Sequence, residues 1–156
     1  PGTGEMSGGM GLRRTVAVLT DYPVLFPLDG RRTRYRVSSG FGYRIHPLKG
    51  RRIFHKGVDL AAPYGEPVYS AGNGRVISAG YSPGYGRTVL IRHGGGYSTL
   101  YAHMSRSLVR KGETVRIGQR IGKVGSTGMS TGNHLHFELQ KNGRLLDPVE
   151  WFGRRF

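Results

Sequence analysis

Four of the six histidines in this 156-residue chain fall in three short stretches. They are Phe54-His55-Lys56-Gly57-Val58-Asp59, Tyr101-Ala102-His103-Met104 and Asn133-His134-Leu135-His136-Phe137-Glu138. Imidazole and carboxylate are the donors Zn²⁺ takes when a catalytic site keeps one coordination position open for water. On a strand, His134 and His136 point to one face, while Leu135, Phe137 and Leu139 point to the other. An H-x-H pair alone is a weak signal and needs context. His55 and Asp59 at i, i+4 could share a helix face, but Gly57 and the β-branched Val58 favour a turn running into a strand. One carboxylate and one imidazole from this segment, with one imidazole from the 134–136 strand, would give three protein ligands. His103 ends an apolar run from which its ring could reach the same groove. His46, before Pro47, and His93, beside Gly94-Gly95-Gly96, read as ordinary surface or core residues.

The elements that must position these residues are short. With 27 glycines and few helix-favouring runs, apolar stretches broken by Gly, Pro, Ser and Asn predict an all-β chain. Strands are expected at Val58–Ala61, Pro67–Ala71, Gly74–Ala79, Thr88–His93, Tyr97–His103, Thr114–Ile117, Arg120–Gly125, His134–Gln140 and Arg144–Leu146. Asn142-Gly143 is a type I′ turn signal and Gly94-Gly95-Gly96 reads as a hairpin turn. Tight turns imply a mostly antiparallel sheet or sandwich. Ser105–Arg110 is expected to be a turn. Thr15–Phe26, interrupted by Pro23, could supply a strand or edge segment. The organisation expected is an N-terminal extension over residues 1–33, partly mobile, followed by one domain over 34–156.

At this point the chain resembles the lysostaphin-type (LytM-like) zinc endopeptidases that cut peptidoglycan cross-links. The resemblance covers about residues 37–152. It rests on Ser39-Gly40-Phe41-Gly42-Tyr43-Arg44, on His55-Lys56-Gly57-Val58-Asp59-Leu60-Ala61-Ala62-Pro63, on Tyr101-Ala102-His103-Met104, and on Ser126-Thr127-Gly128 leading through Ser130-Thr131-Gly132 to Asn133-His134-Leu135-His136-Phe137-Glu138. The resemblance implies one Zn²⁺ per chain held by His55, Asp59 and His136, with His103 and His134 as non-ligand catalytic histidines whose division of labour stays open. It implies a β-sheet groove with the metal on its floor, on a scaffold related to the barrel-sandwich of biotinyl and lipoyl domains. Val115–Gly122 is similar to the strand-turn-strand of those carriers, but no Lys stands at a matching hairpin tip. Arg44, Tyr85 and Asn133 are the substrate-binding candidates. Arg87, Tyr64, Tyr81 and Tyr97 are weaker ones.

Function follows as an expectation: hydrolysis of peptidoglycan cross-links, D,D-endopeptidase in preference to glycyl-glycine cleavage, in the periplasm or cell envelope. The alternative is a non-catalytic peptidoglycan-binding or amidase-activating module of the same fold. Composition sets bounds of its own. Without cysteine, thiolate catalysis, disulfides and cysteine-held zinc are excluded. No run of about 18 apolar residues is present, so no spanning helix is expected. The net charge of +15, from 24 Lys and Arg against 9 Asp and Glu, suits anionic envelope polymers. No nucleic-acid module accompanies it, so specific nucleic-acid binding is not expected. The stretch preceding the domain, apolar from Val16 to Leu28, could cover the groove.

Overall fold

Short β-branched runs punctuated by glycine become twelve strands among residues 19–45 and 50–153, the part of the chain that this computed structural model describes. They are β1 (Arg36–Ser39), β2 (Gly42–Ile45), β3 (Arg52–His55), β4 (Val58–Ala61), β5 (Pro67–Tyr69), β6 (Gly74–Ser82), β7 (Gly86–Arg92), β8 (Tyr97–Ser107), β9 (Thr114–Val115), β10 (Arg120–Val124), β11 (His134–Lys141) and β12 (Arg144–Leu146). One sheet runs β1-β4-β11-β8-β7-β6-β9, with β12 on β11 and β10 bridging β8 to β5. The β2–β3 hairpin forms a sheet of its own. Every pairing is antiparallel, and the all-β antiparallel expectation holds.

The core collects the inward halves of these strands. Val58 and Leu60 of β4, Val89 and Ile91 of β7, Tyr101 of β8 and Leu135 and Phe137 of β11 are fully buried. Burying an aliphatic or aromatic side chain of this size is worth about 1.5–3 kcal/mol each. The β11–β12 turn is as the sequence requires: Asn142 and Gly143 both take positive φ, 50° and 79°, the type I′ condition.

Four expectations need correction. No strand lies in the described part of Thr15–Phe26. Leu19 and Thr20 are helical and the segment then runs as turns and bends, with Val24 and Leu25 both donating to the Ala71 carbonyl. The N–H pattern is spent on one carbonyl, so no ladder can form. The strand ending at His103 instead continues to Ser107, because β10 pairs with its far end through Gly122–Ser107 and Lys123–Arg106. Strands β1 to β3 were not foreseen: Arg31–Arg36, where β1 begins, reads as a basic connector, and no strand was expected before Val58 within residues 34–156. Helix α1 (Pro148–Phe152) was also missed, although Asp147 caps it by accepting from Val149 N–H at 2.9 Å and proline stands at its start. Residues 1–18 and His46 lie outside the described residues.

Candidate metal centre and active site

Register builds the site. Strand β4 pairs with β11 so that Asp59 stands directly opposite His136, Leu60 opposite Leu135 and Ala61 opposite His134. Because paired residues share a face, the leucines enter the core and Asp59, His134 and His136 enter the groove. Gly57 lets the turn before β4 press onto β11: a Cβ there would run into the Phe137 carbonyl and Glu138 Cγ. That contact also fixes His55, two residues earlier, against the same floor.

His103 reaches the groove by a different device. Its neighbour Ala102 pairs with His136 and Tyr101 with Phe137, so simple alternation would send His103 into the core with Tyr101. Instead, three steps along β8, from Tyr101 to Met104, match two along β7, from Val89 to Arg87. This is a β-bulge, and His103 carries its strained backbone at φ 61°. The bulge turns His103 outward and returns Met104 to the core, where it is fully buried.

The open cleft has a volume of about 810 Å³ and is lined by His55, Asp59, His103, His134 and His136, with Arg44, Tyr85 and the loop Gly128–Thr131 contributing to its walls. His55 Nε2 lies 3.3 Å from Asp59 Oδ2 and His136 Nδ1 lies 2.7 Å from Asp59 Oδ1. One donor atom from each of these three residues falls within 4.8 Å of the others. His134 Nε2 stands 3.8 Å from Asp59 Oδ1, and the His103 and His134 rings pack with centroids 4.7 Å apart.

Each ring has one nitrogen tied to the scaffold. His55 Nδ1–H donates to the Gly40 carbonyl at 2.7 Å, His103 Nδ1–H to Thr127 O at 2.7 Å and His134 Nδ1–H to Gly132 O at 2.9 Å. A carbonyl only accepts, so the hydrogen sits on Nδ1 and a lone pair on Nε2 of the neutral ring. His136 is held the other way round: Nε2–H donates to buried Glu138 at 2.8 Å, and Nδ1 faces Asp59. Tyr85 O–H donates to the same Glu138 oxygen at 2.5 Å.

Charge follows geometry. Burial opposes ionisation of His136, but its hydrogen bonds to Asp59 and Glu138 outweigh it and raise its pKa to about 9. Burial likewise opposes Asp59, yet the bonds to His136 and His55 hold its carboxyl well below the usual range. Glu138 is lowered in the same balance. Burial pushes His103 down, against the bond to Thr127. A site that stabilises a proton between two carboxylates, with three further imidazole lone pairs turned inward, is a site for a cation. The donor set of two imidazoles and one carboxylate fits zinc, and Glu138 behind His136 completes the carboxylate–histidine support such ligands have.

The structure thus brings together His55, Asp59, His103, His134 and His136, with Arg44 and Tyr85 on the walls. Asn133 is exposed and outside the lining; its carbonyl accepts from Ala62 N–H. Tyr97 is buried and packs edge-on against Tyr22 and at a tilt against Trp151. Tyr81 is exposed, and Arg87 and Tyr64 line a different cavity. Arg44 is anchored by Nη1 donating to Ser39 Oγ. Sequence reading gave Glu138 no role, though it lies two residues from His136 and therefore on the same face. The described N-terminal residues pack elsewhere: Pro23 accepts from the Trp151 indole, Arg32 pairs with Glu66, and none lines the cleft.

Comparison with known proteins bears on the same residues. Residues 53–148, which span this site, match Peptidase family M23. The DD-carboxypeptidase/endopeptidase Mpg of Neisseria meningitidis is 49% identical over 114 residues, covering 73% of this chain and 26% of that protein. The chain thus spans about a quarter of the length of such curated relatives. A zinc-containing peptidase from Vibrio cholerae superposes with a TM-score of 0.73 at 43% identity over 78% of this chain and 37% of that one. The catalytic domain of lysostaphin from Staphylococcus simulans gives 0.66 at 32% identity, over 78% of this chain and 93% of that domain. With the family's extent lying across β3 to β12, and with relatives of this identity aligned over most of the chain, the protein belongs to peptidase family M23.

Proposed function

We propose that this chain is a zinc-dependent endopeptidase that hydrolyses peptide cross-links of bacterial peptidoglycan, acting in the cell envelope. The observation that carries the reading is the inward-facing cluster His55, Asp59 and His136, with His103 and His134 beside it. Relatives named DD-endopeptidases or DD-carboxypeptidase/endopeptidase favour a D-alanyl cross-link over a glycyl bridge.

In this reading His55, Asp59 and His136 hold the metal, and Glu138 and the Gly40 carbonyl orient the two imidazoles. When bound, zinc supplies Lewis acidity, lowering the pKa of water and polarising the scissile carbonyl. His103 is the general base. Burial keeps it neutral near pH 7, and its Nδ1–H bond to Thr127 points the Nε2 lone pair into the cleft, where it takes a proton from the attacking water. The same nitrogen then returns that proton to the leaving amine. His134, when protonated, keeps Nδ1–H on Gly132 and presents Nε2–H to the developing oxyanion. Tyr85 and Arg44 bound the peptide on the wall, with the Arg44 guanidinium suited to a carboxylate of the stem peptide. The positive charge attracts anionic envelope polymers and raises encounter rates at low salt.

Digestion of purified sacculi, with the released muropeptides identified by mass, tests the reading. The expected result is loss of cross-linked dimers in sacculi with D-alanyl cross-links, abolished by Asp59→Ala. Unchanged cross-linking by metal-loaded chain, in both D-alanyl and glycine-bridged walls, would overturn it and leave a binding module.

A further inference from the structure

Behind the wall of the cleft lies a second cavity, of about 530 Å³, lined by Arg87, Arg106 and Lys123 together with the hydroxyl residues Tyr64, Ser105 and Ser107. No carboxylate lines it. Lys123 and Arg106 are directly opposed across β10 and β8, an arrangement that costs stability when both carry the same charge. Among the described residues, none of the three cations forms an ion pair. Arg87 adds a sharper sign: its Nε is buried and has no hydrogen-bond partner. A buried charged donor without an acceptor is a cost that folded proteins rarely carry for nothing.

The cavity is one residue away from the groove. Thr127 Oγ accepts from Arg87 backbone N–H at 3.0 Å and donates to Met104 O at 2.7 Å, while the Thr127 carbonyl holds His103 Nδ1–H at 2.7 Å. Gly86 and Gly128 are packed backbone to backbone at this point, so the wall is thin there; a Cβ on either would strike the backbone of the other segment. A substrate that runs over this wall at Thr127 passes from the groove to the cavity, each extended residue advancing it roughly 3.3 Å.

We infer that the Arg87–Arg106–Lys123 cavity is an anion subsite that takes a free carboxylate of the peptide substrate, beyond the bond being cut. This rests on the endopeptidase reading above. Two guanidiniums and an ammonium, with hydroxyl donors between them, present the fork-and-point geometry that a carboxylate accepts. Phosphate shares that chemistry; the position, back to back with the groove across one threonine, favours the peptide.

The test uses the full, zinc-loaded chain and two cross-linked muropeptides, one with its stem-peptide carboxylates free and one with them amidated. The wild type is expected to show a lower KM for the free acid. The double variant Arg106→Gln with Lys123→Gln raises that KM about tenfold, with kcat within twofold and the amidated substrate unaffected. Arg87→Gln does the same, with a melting curve to establish that it folds. Equal KM for acid and amide in the wild type, or a variant that shifts both alike, would overturn the subsite. Calorimetry with zinc-loaded His103→Ala chain separates the two readings. If the wild type cuts nothing, yet this chain binds the acid more tightly than the amide in an Arg106- and Lys123-dependent way, the subsite stands and the enzyme reading falls. Displacement of the acid peptide by inorganic phosphate at lower concentration than by acetate would also overturn the assignment to a peptide carboxylate.

Discussion

His93 and His136 are equally buried, at 6% and 5% exposure, and each has both ring nitrogens engaged, yet their protons behave in opposite ways. Around His93 every partner is neutral. Nδ1–H donates to the Asn73 carbonyl at 2.7 Å, so Nε2 must accept from Thr99 O–H, also at 2.7 Å. Thr99 in turn accepts from the Tyr101 hydroxyl at 2.7 Å, and that oxygen accepts from Ala71 N–H at 3.0 Å. The chain of bonds runs in one direction and leaves no place for a second proton; burial lowers the pKa of His93. Around His136 the partners are Asp59 and Glu138, and the pKa rises to about 9. Burial is common to both, so the partners decide. Neutral partners make a histidine a structural bolt, whereas carboxylates make it a place where a cation belongs.

Removing a carboxylate partner is the largest way to break that contrast. Asp59→Ala is expected to take the metal from near one per chain to near none and to abolish cleavage of cross-linked muropeptides, while the chain still folds. Elemental mass spectrometry beside the digestion assay reads both. Retention of full metal by this variant would show that the cluster is not the binding site. His103→Ala separates chemistry from metal: kcat should fall by ~10²–10⁴-fold with metal content unchanged, the range for a positioned acid–base group. A variant that lost metal as well would place His103 among the ligands instead.

Glu138→Gln sharpens the comparison, because it turns one of the two carboxylate partners of His136 into a neutral one like those of His93. The amide keeps the shape and an acceptor oxygen for His136 Nε2–H, but removes the charge. Metal affinity, measured by chelator competition, should fall by ~10–100-fold. Tyr85→Phe, which deletes only the donor to Glu138, should move it less. Equal affinity in Glu138→Gln and wild type would make Glu138 a packing residue.

How far the sequence reached depends on whether each feature is local. The facing of Asp59, His134 and His136 follows from a period of two, and Asn142-Gly143 carries its own turn. The same period would have identified Glu138, two residues beyond His136; motif recognition alone passed over it. What no local signal held was the exposure of His103. Alternation from Tyr101 sends it inward, and only the mismatch between β7 and β8 turns it out, a property of two strands rather than one. Strands β1 to β3 escaped for a related reason. Their arginine-rich, mostly exposed residues lack an apolar face, and they pair because β4 and the hairpin partner offer an edge. The Arg87 cavity was illegible because its three cations come from β7, β8 and β10 and meet only once the sheet has folded over.

The smallest expected effect falls on His93 itself and tests the neutral half of the comparison. In the unfolded chain this ring titrates near 6.5; in the folded chain burial places its pKa lower. Between those values the unfolded state binds more protons than the folded one, so stability falls as pH falls. The contribution is complete above about pH 6.5 and is lost below it, as the pH drops through the folded value. His93→Gln stays neutral at every pH, with its amide able to donate to Asn73 and accept from Thr99. Metal-saturated wild type and variant should therefore differ in the slope of denaturation midpoint against pH between 7.5 and 5, steeper in the wild type, while their activities at pH 7.5 agree. His93→Leu, which leaves the Asn73 carbonyl and Thr99 hydroxyl without partners, should cost ~1–3 kcal/mol at pH 7.5, a difference that narrows as the pH falls and the wild type loses its His93 contribution. Equal slopes for wild type and His93→Gln would mean that the ring gains its proton in the fold, and that neutral partners alone do not make a histidine inert.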